Sequence, residues 1–187
     1  AILPQARKRG YAVGAFNINN LEICQAIIDA AEELSSPVIL QTSEGALKYA
    51  GMDYLSAIAH VAARGASVPV VFHLDHGKNE TLVKTAIKSG LYTSVMYDGS
   101  SLPFKENVKR TKKIVKLAHA KKMSVEAELG AIAGVEDLVS VKEKDAFFTD
   151  PEQAEIFVKK TRCDALAISI GTAHGAFKKT LRQAQGL

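Results

Sequence analysis

Short apolar runs alternate with longer amphipathic stretches along the whole chain. The runs Ala12–Asn17, Pro37–Thr42, Val70–His73, Thr93–Tyr97, Ser124–Glu128 and Ala165–Ile170 are apolar on both sides of the pleat. Each is bounded by polar residues or glycine, the pattern of buried parallel strands. Leu21–Leu34 sets Ile23, Ala26, Ile27, Ala30, Ala31 and Leu34 in one stripe at helical spacing, with Asn20 placed to cap it. The same reasoning predicts helices at Asp53–Arg64 (ahead of Gly65), at Thr81–Ser89 (between Asn79–Glu80 and Gly90) and at Pro103–Lys121. A last helix, Pro151–Lys160, follows the capping residue Asp150. Gly130–Phe148 has neither period and is long for a loop, which marks it as a candidate functional segment.

About six βα units in series build either an open doubly wound sheet or a closed barrel. Periodicity does not separate the two, but both place functional residues at the C-terminal ends of strands. With 47% apolar and 24% charged residues the chain has a globular composition. Its apolar runs are far too short to span a bilayer, and its start lacks the layout of a signal peptide. Two cysteines, Cys24 and Cys163, argue against a disulfide framework and for the cytoplasm. The net charge of +4 permits nucleic-acid binding. The basic run from Lys105 to Lys122, however, lies on one predicted helix without interleaved aromatics, so it reads as a solvated outer face.

Chemistry-bearing residues gather at the predicted strand ends: Asn17, Ser43-Glu44-Gly45, His73-Leu74-Asp75-His76-Gly77, Asp98-Gly99-Ser100, Glu126-Ala127-Glu128-Leu129-Gly130 and Gly171-Thr172-Ala173-His174-Gly175. His76 and His174 are candidate metal ligands, with Asp98 and Glu128 as carboxylate ligands; imidazole plus carboxylate suits zinc. Asp75 reads as a general acid/base or as a turn-capping residue. Glu136-Asp137 reads as a base on a closing loop or as a solvated acidic pair. Gly171–Gly175 with Lys178 suits a phosphate, a weak signal alone. His60 and His119, inside predicted helices, read as structural, and His73, inside a strand, leaves both readings open.

In order, these motifs resemble the class II, zinc-dependent fructose/tagatose-bisphosphate aldolase family. The resemblance runs from about Gly10 to Lys178. It is carried by Tyr11-Ala12-Val13-Gly14-Ala15-Phe16-Asn17, Ser36-Pro37-Val38-Ile39, Ser43-Glu44-Gly45-Ala46, His73-Leu74-Asp75-His76-Gly77, Ser94-Val95-Met96-Tyr97-Asp98-Gly99-Ser100, Val125-Glu126-Ala127-Glu128-Leu129-Gly130, Gly134-Val135-Glu136-Asp137 and Ile170-Gly171-Thr172-Ala173-His174-Gly175.

The resemblance implies an α/β fold, a (β/α)8 TIM barrel of which about six units are present. Residues 1–187 would then be one domain, the N-terminal three-quarters of the barrel. It implies a lyase that reversibly cleaves fructose 1,6-bisphosphate to dihydroxyacetone phosphate and glyceraldehyde 3-phosphate, with zinc as Lewis acid. Tagatose 1,6-bisphosphate is the alternative substrate. By the same resemblance His76 and His174 bind the catalytic Zn2+, and Asp98 and Glu128 serve a second divalent position. Asp75 handles the C4 hydroxyl proton and Glu136 the proton at C3. Ser43, Gly175 and Lys178 match substrate or phosphate positions, and Asn17 lies beside the metal; Gly175 also belongs to a monovalent-cation site. The implied protein is cytoplasmic and a homo-oligomer, dimer or tetramer, with a sugar bisphosphate as partner and neither nucleic acid nor membrane.

The chain departs from the family in one region. The third zinc-binding His, in a His-Gly-Gly/Ala-Ser segment, and the later phosphate-binding Asp-Thr-Asp-like segment are not found, and Lys179–Leu187 does not match. A complete barrel takes about 250 residues. The competing expectation is therefore a non-catalytic fragment that at most binds metal or phosphate, and the isolated 187-mer is expected to be inactive.

Overall fold

The computed structural model describes residues 2–132, 134–136, 139–141 and 148–172. A short helix, α1 (Ile2–Arg9), leads into β1 (Gly14–Asn17), α2 (Leu21–Glu33), β2 (Val38–Thr42), α3 (Glu44–Ala50), α4 (Met52–Gly65) and β3 (Val70–Gly77). There follow α5 (Glu80–Ser89), β4 (Ser94–Tyr97), α6 (Phe104–His119), β5 (Ser124–Leu129), the short strands β6 (Gly134–Glu136) and β7 (Val139–Val141), α7 (Pro151–Thr161) and β8 (Ala165–Ile168).

Six strands form one sheet in the order β1-β2-β3-β4-β5-β8, every neighbouring pair parallel. The order never reverses. A doubly wound sheet needs a reversal, where the chain starts filling the opposite edge. Consecutive order with crossovers of one hand puts the helices on one face, as in a (β/α) barrel. This settles what periodicity left open.

The two faces differ accordingly. Leu40, Phe72, Leu74, Val95, Tyr97, Val125 and Ala127 are buried under the helices, against Leu55, Val83, Ile87, Ile114, Val115 and Phe157. The alternate positions point to the barrel interior. There, Asn17, Gln41, His73, Ser94 and Ser124 occupy one hydrogen-bonded row. Barrel interiors are usually filled by branched apolar side chains, so a polar row marks this end of the sheet as built for chemistry.

Local signals fixed most helix starts. Asn20 Oδ1 accepts from the Ile23 N–H, Asn79 Oδ1 from Thr81 and Leu82, and Asp150 Oδ1 from Gln153. Gly90 closes α5 in the left-handed region. Gly65, expected just beyond α4, is its last residue, and Ala66 caps it. Two helices were not anticipated, α1 and α3. Ser43, read as part of a strand-end loop, instead caps α3 through a bond from the Ala46 N–H. Within the stretch expected to be irregular, β6 and β7 pair as an antiparallel hairpin.

Candidate metal and acid–base site

β3 extends beyond the predicted Val70–His73 and carries the whole segment His73-Leu74-Asp75-His76-Gly77. Strict alternation would send His76 to the helix side with Phe72 and Leu74. Instead the register with β4 shifts between Leu74 and Gly77, and His76 has φ 43, in the left-handed region. A bulge of this kind re-aims a side chain at some backbone cost. It lets Asp75 and His76, adjacent in sequence, both serve the C-terminal rim. Gly77 is required next to it. A Cβ there would lie 2.6 Å from the Met96 carbonyl oxygen and against Val83.

His76 Nδ1 lies 3.2 Å from Asp98 Oδ2 and 3.4 Å from Glu128 Oε2. One ligand atom from each of the three residues falls within 4.8 Å of the others. β4 delivers Asp98 and β5 delivers Glu128, both 4% exposed. Burial alone would lower the His76 imidazole, but its bond with Asp98 and the charges of Asp75, Glu128 and Asp98 raise it to about 9. Burial would raise the Asp98 carboxyl; bonds from His76 and from the Ser100 hydroxyl and N–H outweigh it and hold Asp98 at about 2. Burial and the Asp98 charge lift Glu128 to about 7, against the pull of His76 and Lys78. Glu128 Oε2 accepts no hydrogen bond. One imidazole and two carboxylates converging with an unsatisfied buried oxygen are a donor set that fits a divalent cation.

Asp75 is buried, and its Oδ2 accepts from Asn17 Nδ2 at 3.3 Å. Asn17 also lines a cleft of about 620 Å³ with Asn19, Asn20, Ser43, Gly45 and Tyr49. Asn17 and Ser43 are thus brought to one cleft that reaches Asp75 through Asn17. Burial pushes His73 down to about 4, helped by the His76 charge, so it is neutral. His60 Nε2 bonds the Leu91 carbonyl at 2.7 Å, and His119 Nε2 bonds Asp164 at 2.8 Å; both hold structure. Glu136 has its backbone in β6, and its side chain is not described. His174, Gly175 and Lys178 lie outside the described residues.

Sequence reasoning missed Asn107. It is 1% exposed on α6; its Nδ2 donates to the Glu128 carbonyl at 3.0 Å and its Oδ1 accepts from Thr111 at 2.9 Å. The available signal was an amide on the buried side of a helix, next to Val108 and Thr111. Among the described residues no helix is long and apolar enough to cross a membrane.

A solved structure from Coccidioides immitis, assigned as a fructose-1,6-biphosphate aldolase, superposes with a TM-score of 0.86 at 36% identity, over 95% of this chain and 62% of that one. The YdjI aldolase of Escherichia coli K12 gives 0.79 at 36% identity, over 91% and 61%. A fructose-bisphosphate aldolase of Thermus caldophilus is 53% identical over 95% of this chain and 57% of its own length. One from Helicobacter pylori is 49% identical over 95% and 58%. The chain therefore spans less than three-fifths of these two relatives. The family profile described as Fructose-bisphosphate aldolase class-II matches residues 1–186. That match, over a barrel-ordered sheet whose rim gathers imidazole and carboxylates, means that the chain belongs to the class II fructose-bisphosphate aldolase family.

Proposed function

We propose that the protein reversibly cleaves fructose 1,6-bisphosphate to dihydroxyacetone phosphate and glyceraldehyde 3-phosphate, with zinc bound. The observation that carries this reading is the meeting of His76, Asp98 and Glu128 beside Asp75, in a chain about half identical to fructose-bisphosphate aldolases.

Zinc, when bound, supplies Lewis-acid polarisation of the substrate's ketone oxygen. His76 and His174 would hold it, and Asp98 and Glu128 offer a position for a second divalent ion. Asp75 moves the C4 hydroxyl proton, and Asn17 orients it by donating to Oδ2. Glu136 moves the proton at C3. Ser43, Gly175 and Lys178 take the phosphates, and Gly175 also serves a monovalent cation. The cleft lined by Asn17 and Ser43 receives the sugar. A positioned acid/base of this kind contributes about 10²–10⁴-fold to rate. The same reading makes the protein a cytoplasmic homo-oligomer, dimer or tetramer.

The test uses the protein expressed from its own reading frame. Fructose and tagatose 1,6-bisphosphate are offered in parallel, before and after chelation and with zinc restored. Cleavage of the fructose substrate that chelator abolishes and zinc restores is the expected result. Asp75→Ala should lower kcat by about 10²–10⁴-fold with zinc retained, and His76→Ala should lose the zinc. Zinc loss in Asp75→Ala would make Asp75 structural. Preference for tagatose bisphosphate would reassign the substrate, and zinc binding without turnover would leave a binding module.

A further inference from the structure

His73 ties β3 to β4 just before the β3 bulge and faces Glu126 on β5. His73 is buried and lies on the interior face of β3, two residues before Asp75. Its Nδ1 is 2.8 Å from Ser94 Oγ on β4. Its Nε2 makes no hydrogen bond and faces Glu126 Oε2 on β5 at 3.5 Å. His73↔Ser94 and Leu74↔Val95 are the last regular pairs before the register shifts. Past them β3 has lost its regular ladder, and His76 holds a left-handed φ of 43. Such a conformation persists only where surrounding contacts over-determine it.

Neither His73 nor Glu126 is among the metal-facing atoms or in contact with the cleft. Yet both place polar groups where a barrel normally packs aliphatic side chains, at a desolvation cost that aliphatic side chains would avoid. The group best placed to use them is the bulge directly above.

We propose that Glu126 and His73 are positioning residues: with Ser94 they brace β3 across β4 to β5 and hold Asp75 and His76 in their rim geometry. The proposal rests on the aldolase reading. It assigns the pair no contact with substrate and no proton to move. Their effect on rate passes through the placement of Asp75.

The experiment compares Glu126→Leu, Glu126→Gln and His73→Gln in the protein expressed from its own reading frame, with the unsubstituted protein and Asp75→Ala as controls. It reads kcat, KM, zinc stoichiometry and thermal midpoint. Glu126→Leu is expected to lower kcat at least about tenfold, with KM within about twofold and zinc still bound, because misplacing a reacting group costs rate before it costs binding. Glu126→Gln keeps the length and an acceptor oxygen and is expected to restore most of the lost kcat. His73→Gln, Glu126→Leu and the Glu126→Leu/His73→Gln double variant are expected to show about the same kcat, since one brace is broken once. If Glu126→Leu fails to fold, Glu126→Ala takes its place in the single and the double variant, and additive losses overturn the brace. Unchanged kcat in every variant of an active protein also overturns it, as does a Gln variant as slow as the Leu variant. Absence of cleavage by the unsubstituted protein would instead overturn the aldolase reading, and the brace with it.

Discussion

Asn107→Ala should destabilise the protein by about 3 kcal/mol and loosen the candidate cation position at Glu128 as well. The amide joins α6 to the end of β5 by donating to the Glu128 carbonyl while accepting from Thr111. Each bond contributes a net ~0.5–1.5 kcal/mol, and each buried partner left unsatisfied costs ~1–3 kcal/mol. Asn107 is 1% exposed, so water does not replace it easily. Counting one orphaned carbonyl in full and the hydroxyl in part, because it can rotate to a new acceptor, gives about 3 kcal/mol. For a chain of this size that corresponds to a fall in thermal midpoint of roughly 6–12 °C. Asn107→Asp keeps the shape but sets an oxygen against the Glu128 carbonyl, so it should be at least as damaging near neutral pH. The assay is chemical denaturation of the metal-free protein, followed by a zinc titration. Supports behind a ligand are worth about 10–100-fold in affinity, and the step of the titration that fills the proposed second position at Asp98 and Glu128 should move by that amount. A loss of less than about 1 kcal/mol would refute the energetic argument. Full destabilisation with unchanged affinity at that second position would refute the link between α6 and Glu128.

Burial lifts the Tyr92 hydroxyl to about 12, against the pull of its bond with Thr42. The unfolded phenol ionises near 10, so its stabilisation is complete below pH 10 and falls as pH rises toward 12. Denaturant melts at pH 9 and 11 should show the native protein losing about 1 kcal/mol more than Tyr92→Phe; equal losses would mean the phenol is not held neutral. Gly77→Ala should cost 2 kcal/mol or about that, because its Cβ would meet the Met96 carbonyl oxygen and Val83. A thermal midpoint within 2 °C or so of native would show that the strand end yields. Asp164 Oδ2 accepts from both the Val125 N–H and His119 Nε2. Asp164→Ala should therefore lower the thermal midpoint, and His119→Ala in that background should add little, which a double-mutant cycle checks.

Much of the fold was legible because its determinants are local. Buried parallel strands announce themselves as apolar runs, and Asn20, Asn79, Asp150 and Gly90 act on the backbone within a few residues of themselves. Strand order was not legible from periodicity, since the same βα units serve an open sheet and a barrel. α3 escaped because Ser43-Glu44-Gly45 reads as loop chemistry, and only the Ser43 cap with the packing of Ala46 and Leu47 makes it helical. The hairpin of β6 and β7 is three residues on each side, too short for any period to appear.

The candidate site was legible in its residue types and illegible in its geometry. Asp75, His76, Asp98 and Glu128 stand out as polar residues closing apolar runs. In an ideal strand, however, Asp75 and His76 would point to opposite faces, and one of them would be lost to the helix layer. Their use together depends on a register shift and one left-handed residue. Those features belong to the pairing of β3 with β4 and to the neighbouring contacts of His73 with Ser94 and Glu126. Those contacts carried no motif of their own: His73 and Glu126 are 53 positions apart in the chain and meet only when β4 brings β3 and β5 to either side of it. A sequence pattern therefore names the groups that do the chemistry more readily than the groups that aim them, because aiming is done across strands.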